Sequence, residues 1–204
     1  MKKKFCFLVL CFLLSSLSAA EYLGEFKVGY FRPTNDILRD IFPDGWPNYQ
    51  LEISYSPFSR SCDNWWRNFF AWGSINYLHA DGESAVGIDD CTIDILPVAL
   101  GLKYMHPLPC CTQAYASAGL KYFWLHVDSH DDIEHLKDRA HGLGAVIAIG
   151  ALFHPIRNVF LDFFVDYSFK HFNKSNFSIK QNNVIPSAVD ISGITFGVGV
   201  GFWF

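Results

Sequence analysis

Apolar residues recur at every second position through most of this chain. Between Gly24 and Tyr30, Phe26, Val28 and Tyr30 alternate with Glu25, Lys27 and Gly29. Tyr49, Leu51, Ile53 and Tyr55 alternate with Gln50, Glu52, Ser54 and Ser56. Leu161, Phe163, Val165, Tyr167 and Phe169 alternate with Asp162, Phe164, Asp166, Ser168 and Lys170. The last stretch sets Ile194, Phe196, Val198, Val200, Phe202 and Phe204 against Thr195, Gly197, Gly199, Gly201 and Trp203. Successive side chains of a strand point to opposite faces, so a period of two predicts strands with one apolar face, and helical spacing cannot produce it. Four further stretches read as strands although Gly, Ala and Pro dilute their alternation. The predicted strands cover about 22–31, 48–58, 69–79, 91–106, 113–128, 141–153, 159–172 and 188–204. Pro97 predicts a bulge or an unpaired position within the fourth.

The connections alternate in length, the long ones being 32–47, 80–90, 129–140 and 173–187. An even strand count with such alternation predicts an all-β fold, an eight-stranded antiparallel up-and-down transmembrane β-barrel with short periplasmic turns and longer external loops. The connection 59–68 is long for a periplasmic turn. A Lys or Arg facing lipid near the bilayer midplane costs about 2–4 kcal/mol. The apolar face therefore points outward and the charged face lines the lumen. This places Glu25, Glu52, Asp162 and Asp166 inside with Lys27, Lys103, Lys121 and Lys170, four charges of each sign. A buried charge needs a partner, so a balanced set predicts a packed polar interior and not a pore tuned to one sign. Trp46, Trp65, Trp66, Trp124 and Trp203 fall near predicted strand ends, where interface belts collect tryptophan.

Composition fits this reading. Half of the 204 residues are hydrophobic and 17% aromatic, yet only the N-terminus offers a long apolar run, so a bundle of transmembrane helices is excluded. Low charge and many aromatics exclude disorder. Lys2, Lys3 and Lys4 precede the unbroken apolar stretch Phe5–Leu14, and Ser18, Ala19 and Ala20 follow. Residues 1–20 are thus expected to be a secretory signal peptide, with residues 21–204 the exported barrel. The net charge of −4 argues against a nucleic-acid partner, and cleavage would leave 13 basic and 20 acidic residues, a net charge of −7. Export also permits disulfides. Cys62 and the Cys110–Cys111 pair fall in turns on the same side, and Cys91 on the opposite side. A bridge from Cys62 to Cys110 or Cys111 is expected, with one thiol left to link a neighbour in the envelope, against the alternative of four free thiols.

The C-terminal run Gly197-Val198-Gly199-Val200-Gly201-Phe202-Trp203-Phe204 resembles the assembly signal of bacterial outer-membrane barrels. Gly199, Phe202 and Phe204 match that pattern, whereas its polar position is Gly197 here. The resemblance implies an outer-membrane location, contact with outer-membrane lipid and recognition by the barrel-assembly machinery through the strand that ends at Phe204. In size and strand count the chain is similar to small barrels of the OmpA, OmpX and OmpW kind. The segments 29–33, 49–55 and 96–104 resemble a barrel family of obligate intracellular bacteria that carries no assigned reaction.

Three groups of residues bear on chemistry. His171 and Ser175 stand in the seventh strand, where lipid A deacylases, also eight-stranded barrels, carry His-x-Ser-Asn. Here two extra residues intervene, and i and i+4 on a strand lie about 13 Å apart. A hydrogen-bonded nucleophile and base need about 2.6–3.2 Å, so no catalytic residue is assigned. His126, Asp128, His130, Asp131, Asp132, Glu134 and His135 crowd the third external loop. Their ligand types suit zinc-like ions, but a solvated polar loop is the expectation, and neither metal nor cofactor is assigned. In the first loop, Thr34 or Asn35 could cap a short helix over 36–42, with Ile37, Leu38, Ile41 and Phe42 on one side, fit to plug the mouth or lie on the membrane, and a plain loop is the equal alternative. The functional expectation is a non-enzymatic outer-membrane barrel with a structural or surface-interaction role and a packed lumen. The alternatives are a narrow pore or carrier for small solutes and a deacylase-like esterase.

Overall fold

The computed structural model describes residues 21–42, 45–56, 65–83, 90–130, 135–173 and 188–204. The expected signal peptide lies outside the described residues. Eight strands close the barrel: β1 (Glu21–Pro33), β2 (Trp46–Ser56), β3 (Phe69–Glu83), β4 (Asp90–Leu108), β5 (Thr112–His130), β6 (His135–Ile156), β7 (Val159–Phe169) and β10 (Gly193–Trp203). They follow the order β1-β10-β7-β6-β5-β4-β3-β2, and every neighbour is antiparallel. The expected fold is the observed one. One end carries Glu21, Phe204 and the tight turns at 109–111 and 157–158, and is called the terminal end. The opposite, loop end carries a short helix, α1 (Asp36–Ile41), and a small sheet of β8 (His171–Asn173) and β9 (Ala188–Asp190).

Two expectations about the elements are corrected. The last two predicted strands do not run unbroken: the barrel strands stop at Phe169 and start at Gly193, and β8 and β9 pair separately. The third external loop is also far shorter than 129–140. There β5 and β6 stay paired up to His130 opposite His135, because the barrel wall continues past the apolar band. Pro97 leaves β3 unpaired opposite it with no shift of register, since Ile75 meets Val98 and Leu78 meets Ile95 on either side. Among the described residues the one register shift is between β6 and β7, at Phe153 and Ile156.

The outer wall is apolar between two aromatic girdles. Tyr22, Tyr55, Phe69 and Tyr104 mark the terminal end, with ring pairs Tyr22–Tyr55 and Phe69–Tyr104 each 5.1 Å apart. Tyr30, Tyr77, Trp124, Tyr167 and Phe196 mark the loop end. Leu51, Ile53, Leu100, Leu102, Leu120, Ile149 and Phe163 stand exposed between them. At ordinary strand rise and tilt, Tyr104 to Leu96 spans roughly 20 Å along the barrel axis, close to the apolar band of a membrane barrel.

Beyond the loop-end girdle the alternation changes sign. Along β3 the outward positions pass from Ile75 and Tyr77 to His79 and Asp81, while the inward ones pass from Ser74 and Asn76 to Leu78 and Ala80. In β4 the outward series Leu100, Leu96 gives way to Asp94 and Thr92, and Ile95 and Ile93 turn inward. In β5 and β6 the outward series Leu120, Trp124 and Ile147, Leu143 give way to His126 and to His141 and Arg139. Phe123, Leu125 and Ala140 are buried inside. Apolar surface turns inward where there is no hydrocarbon to cover it, so this part of the wall follows the rule of a soluble barrel.

Candidate functional site

The lumen is filled in three layers. At the terminal end Leu23, Phe70, Met105, Tyr115, Leu152, Phe160 and Phe164 form one apolar cluster, with Trp203 packed against it. At the loop end Phe31, Trp46, Leu78, Ile93, Ile95, Phe123, Leu125 and Ile191 form another. The helix α1 completes that layer: Leu38 and Phe42 are buried in it, and the Phe42 ring meets Trp46 edge-on at 5.5 Å. The helix therefore plugs the mouth. Asp36 begins it, and Arg39 N–H donates to Asn35 O while Phe42 N–H donates to Leu38 O.

Between these caps lies an ionic layer. Lys27 Nζ sits 2.9 Å from Glu25 Oε2, 3.2 Å from Glu52 Oε2 and 2.9 Å from Asp162 Oδ2. Lys103 Nζ reaches Glu25 Oε1 at 3.1 Å and also pairs with Glu52. Tyr115 donates to Asp162 at 2.9 Å, and Lys103 Nζ lies 4.7 Å from the centre of its ring. Gln50 Nε2 donates to Glu52 at 2.9 Å, and Asn76 donates to Gln50 at 3.1 Å. Glu52 thus has several donors, as a charge held away from water requires, whereas Glu25 is held by its two lysines and Asp162 Oδ1 has no hydrogen-bond partner among the described residues. A second group is joined by hydroxyls: Lys121 donates to Ser168 at 2.9 Å, and Ser168 and Thr195 donate to Asp166. A cavity of about 20 Å³ beside Lys27, Glu52, Trp72 and Lys121 has room for about one water molecule.

Seven of the eight charges expected in the lumen are buried in this layer, and they belong to two separate groups. Lys170 is the exception. It is buried near the loop-end exit, where its Nζ donates to Leu143 O at 3.1 Å. The tryptophan belt needs correction too. Trp124 and Trp66 are exposed at the two girdles, but Trp46 is fully buried inside and Trp203 packs inward against Phe70 and Phe160. The polarity reversal explains Trp46, since an apolar side chain beyond the loop-end girdle is driven into the lumen.

The other candidates are dispersed. His171 stands on β8 opposite Asp190, and Ser175 lies outside the described residues. His126, Asp128 and His130 share alternate positions of β5, while 131–134 lie outside the described residues; among the described residues no three ligands converge on a metal site. Cys110 and Cys111 are exposed free thiols in the β4–β5 turn, so neither is bridged; Cys62 lies outside the described residues. Both have a positive φ, 62° and 57°, which costs a residue with a side chain some strain. Cys91 pairs with Gly82 and Ser129 at the loop end, away from that turn, as its position implied.

A polar row that spacing alone did not single out runs around the outer wall. His79, Asp94, His126 and Arg139 are successive register partners on β3, β4, β5 and β6, one step beyond the girdle. Asp94 Oδ1 accepts from Tyr77 at 2.7 Å and lies 2.8 Å from His79 Nδ1. His79 Nε2 lies 3.3 Å from Asp81, which also accepts from Thr92. The hydrogen bond to Asp94 raises the His79 pKa above the usual histidine value. Partial burial works against Asp94, but the hydrogen bonds from His79 and Tyr77 hold its carboxyl below the usual range.

No protein-family model matches the sequence, and no curated protein matches it. Solved structures do match in fold. A major outer-membrane protein of Thermus thermophilus superposes with TM-score 0.60 at 14% identity, over 91% of this chain and 100% of the other. Neisserial surface protein A gives 0.55 at 10% identity, over 91% and 97%. Ail, the attachment invasion locus protein of Yersinia pestis, solved with the heparin analogue sucrose octasulfate, gives 0.51 at 13% identity, over 91% and 97%. The chain has the fold of the small eight-stranded outer-membrane barrels.

Proposed function

We propose that this chain is a non-enzymatic outer-membrane β-barrel with a sealed lumen, acting through the surface it presents at its loop end. The terminal end faces the periplasm, and the loops, α1 and the β8–β9 sheet face outward. The observation that carries this reading is the filling of the lumen by two apolar layers with an ionic layer between them. A solute would have to displace Phe42 and Trp46, then the Lys27 and Lys103 ion pairs, then Phe160 and Trp203. Apolar outer residues contact outer-membrane lipid, and the β10 strand ending at Phe204 is offered to the barrel-assembly machinery. The exposed Cys110 and Cys111 are available on the periplasmic side for a disulfide with an envelope neighbour. Ail is described by name as an attachment protein, and a comparable role at the loop end agrees with a closed barrel. Purified protein in a planar bilayer should carry no steady current; a defined single-channel conductance would overturn the sealed-lumen reading.

A second reading, passage of small solutes, is favoured by one observation. Part of the loop-end layer comes from α1, a connecting segment and not the wall. Removing residues 36–42 would then raise solute flux in loaded vesicles, and unchanged flux would dispose of it.

A further inference from the structure

The first outward row beyond the loop-end girdle runs from His79 and Asp94 on β3 and β4 to His126 and Arg139 on β5 and β6. On the β3–β4 side, within two steps of the girdle, the carboxylates Asp94 and Asp81 are both occupied. Asp94 takes hydrogen bonds from Tyr77 and His79, and Asp81 is met by His79 and Thr92. On the β5–β6 side, at the level of the girdle and one step beyond it, the described polar residues are basic. His126 pairs in register with Arg139, and His141 with Trp124, one step closer to the apolar band. The Tyr122 ring lies 4.7 Å from Trp124 and 6.2 Å from His141. The His126 Nδ1 atom is shielded and has no hydrogen-bond partner among the described residues. The next register pair toward the loop is Asp128 with Lys137.

Depth decides what such a patch meets. It stands where the outward positions change from apolar to polar, which is the level of lipid headgroups and not of open water. The wall directly below it, Leu120, Trp124, Leu143 and Ile147, is exposed and apolar, suited to acyl chains. A guanidinium offers a planar fork of donors that matches a phosphate, and an imidazole N–H adds a further donor beside it. We propose that His126, Arg139 and His141 form a binding site for the phosphate of a phosphorylated glycolipid of the outer leaflet, with its acyl chains lying on the β5–β6 wall. The site rests on the membrane placement argued above.

The test uses the whole barrel in phosphatidylcholine nanodiscs holding a small fraction of diphosphorylated lipid A or its dephosphorylated form, with retained lipid read by native mass spectrometry. The phosphorylated form should be retained in preference. One cation near an anionic surface changes binding about fivefold, so Arg139→Gln should lower retention by about that factor, and adding His126→Gln should lower it further. Arg139→Lys should keep most of it, and Arg157→Gln, in the exposed turn at the terminal end, should keep all of it. Equal retention of the two lipid forms, or an equal loss in Arg157→Gln, would overturn the site. Displacement by millimolar inorganic phosphate would make it a free-phosphate site and overturn the lipid assignment. A barrel that fails to enter bilayers would overturn the membrane reading itself, whereas insertion without selectivity would reject the site alone.

Discussion

Lys27 and Asp162 meet at 2.9 Å across the width of β10, and Gly199 is what lets them. In the register Lys27 lies opposite Gly199 and Gly199 opposite Asp162, so the two charged residues are next-nearest strands apart. A Cβ on Gly199 would come within 2.9 Å of Lys27 Cγ and 3.4 Å of Asp162 Cβ. Gly199→Val should therefore cost about 1–3 kcal/mol through overpacking and a separated ion pair. Gly199→Ala should cost less than Gly199→Val, because it adds one carbon and not three, although that carbon still meets the pinned Lys27 Cγ and lies 3.1 Å from Phe26 O. Urea unfolding from lipid vesicles measures both; a Val variant as stable as the parent would show that the lumen has slack there.

Removing one partner of the ionic layer should be worse than removing two. Lys27→Met leaves Glu25, Glu52 and Asp162 to share Lys103 and neighbouring hydrogen bonds, an uncompensated buried charge that typically costs about 3–5 kcal/mol. Adding Asp162→Leu should restore part of that stability, since the second change removes the charge left bare. A double-mutant cycle tests this, and additive losses would mean that the two residues are not coupled.

The polarity reversal predicts a depth profile for single charges. Leu100 faces outward midway between the girdles on β4, and Thr92 faces outward beyond them. Leu100→Arg should destabilise the barrel by about 2–4 kcal/mol and Thr92→Arg by about 0–1 kcal/mol. Unfolding in the same vesicles distinguishes them. Equal costs would displace the apolar band from where the girdles put it.

These tests separate what period two could reveal from what it could not. Alternation gave all eight barrel strands and put Glu25, Lys27, Glu52, Lys103, Lys121, Asp162 and Asp166 inside, because facing is a local property of a strand. It did not show that Lys27 and Asp162 touch, which depends on the register through Gly199. The departure at Gly197 has the same origin: a Cβ there would come within 2.3 Å of Val28 O and 2.9 Å of the Phe164 ring. The outward row of His79, Asp94, His126 and Arg139 was hidden for another reason. Its members come from four strands, and each sits where the hydrophobic face has already switched sides. The same switch misled the placement of Trp46. A break in which alternate set is apolar, seen at 77–79 and again at 94–96, was the signal that could have found both.

The His79–Asp94 contact gives the loop-end wall a pH dependence whose sign follows from the direction of the shift. His79 has a raised pKa in the folded barrel, so its bound proton stabilises the fold. That contribution is fully present below the unfolded histidine value of about 6.5 and is lost as pH rises through the higher folded value. Asp94 is shifted downward, so it stays ionised through this window and its own contribution fades only in stronger acid. His79 is two-fifths exposed, 39% by side chain, and solvent screening keeps the effect local to the wall beyond the girdle. Amide exchange in 78–82 and 92–95 should therefore slow as pH falls from 8 to 6, after correction for intrinsic rates, while 98–104 stays unchanged. His79→Gln should abolish the difference. Persistence of the pH effect in that variant would assign it to another group and leave the Asp94 contact with no part in it.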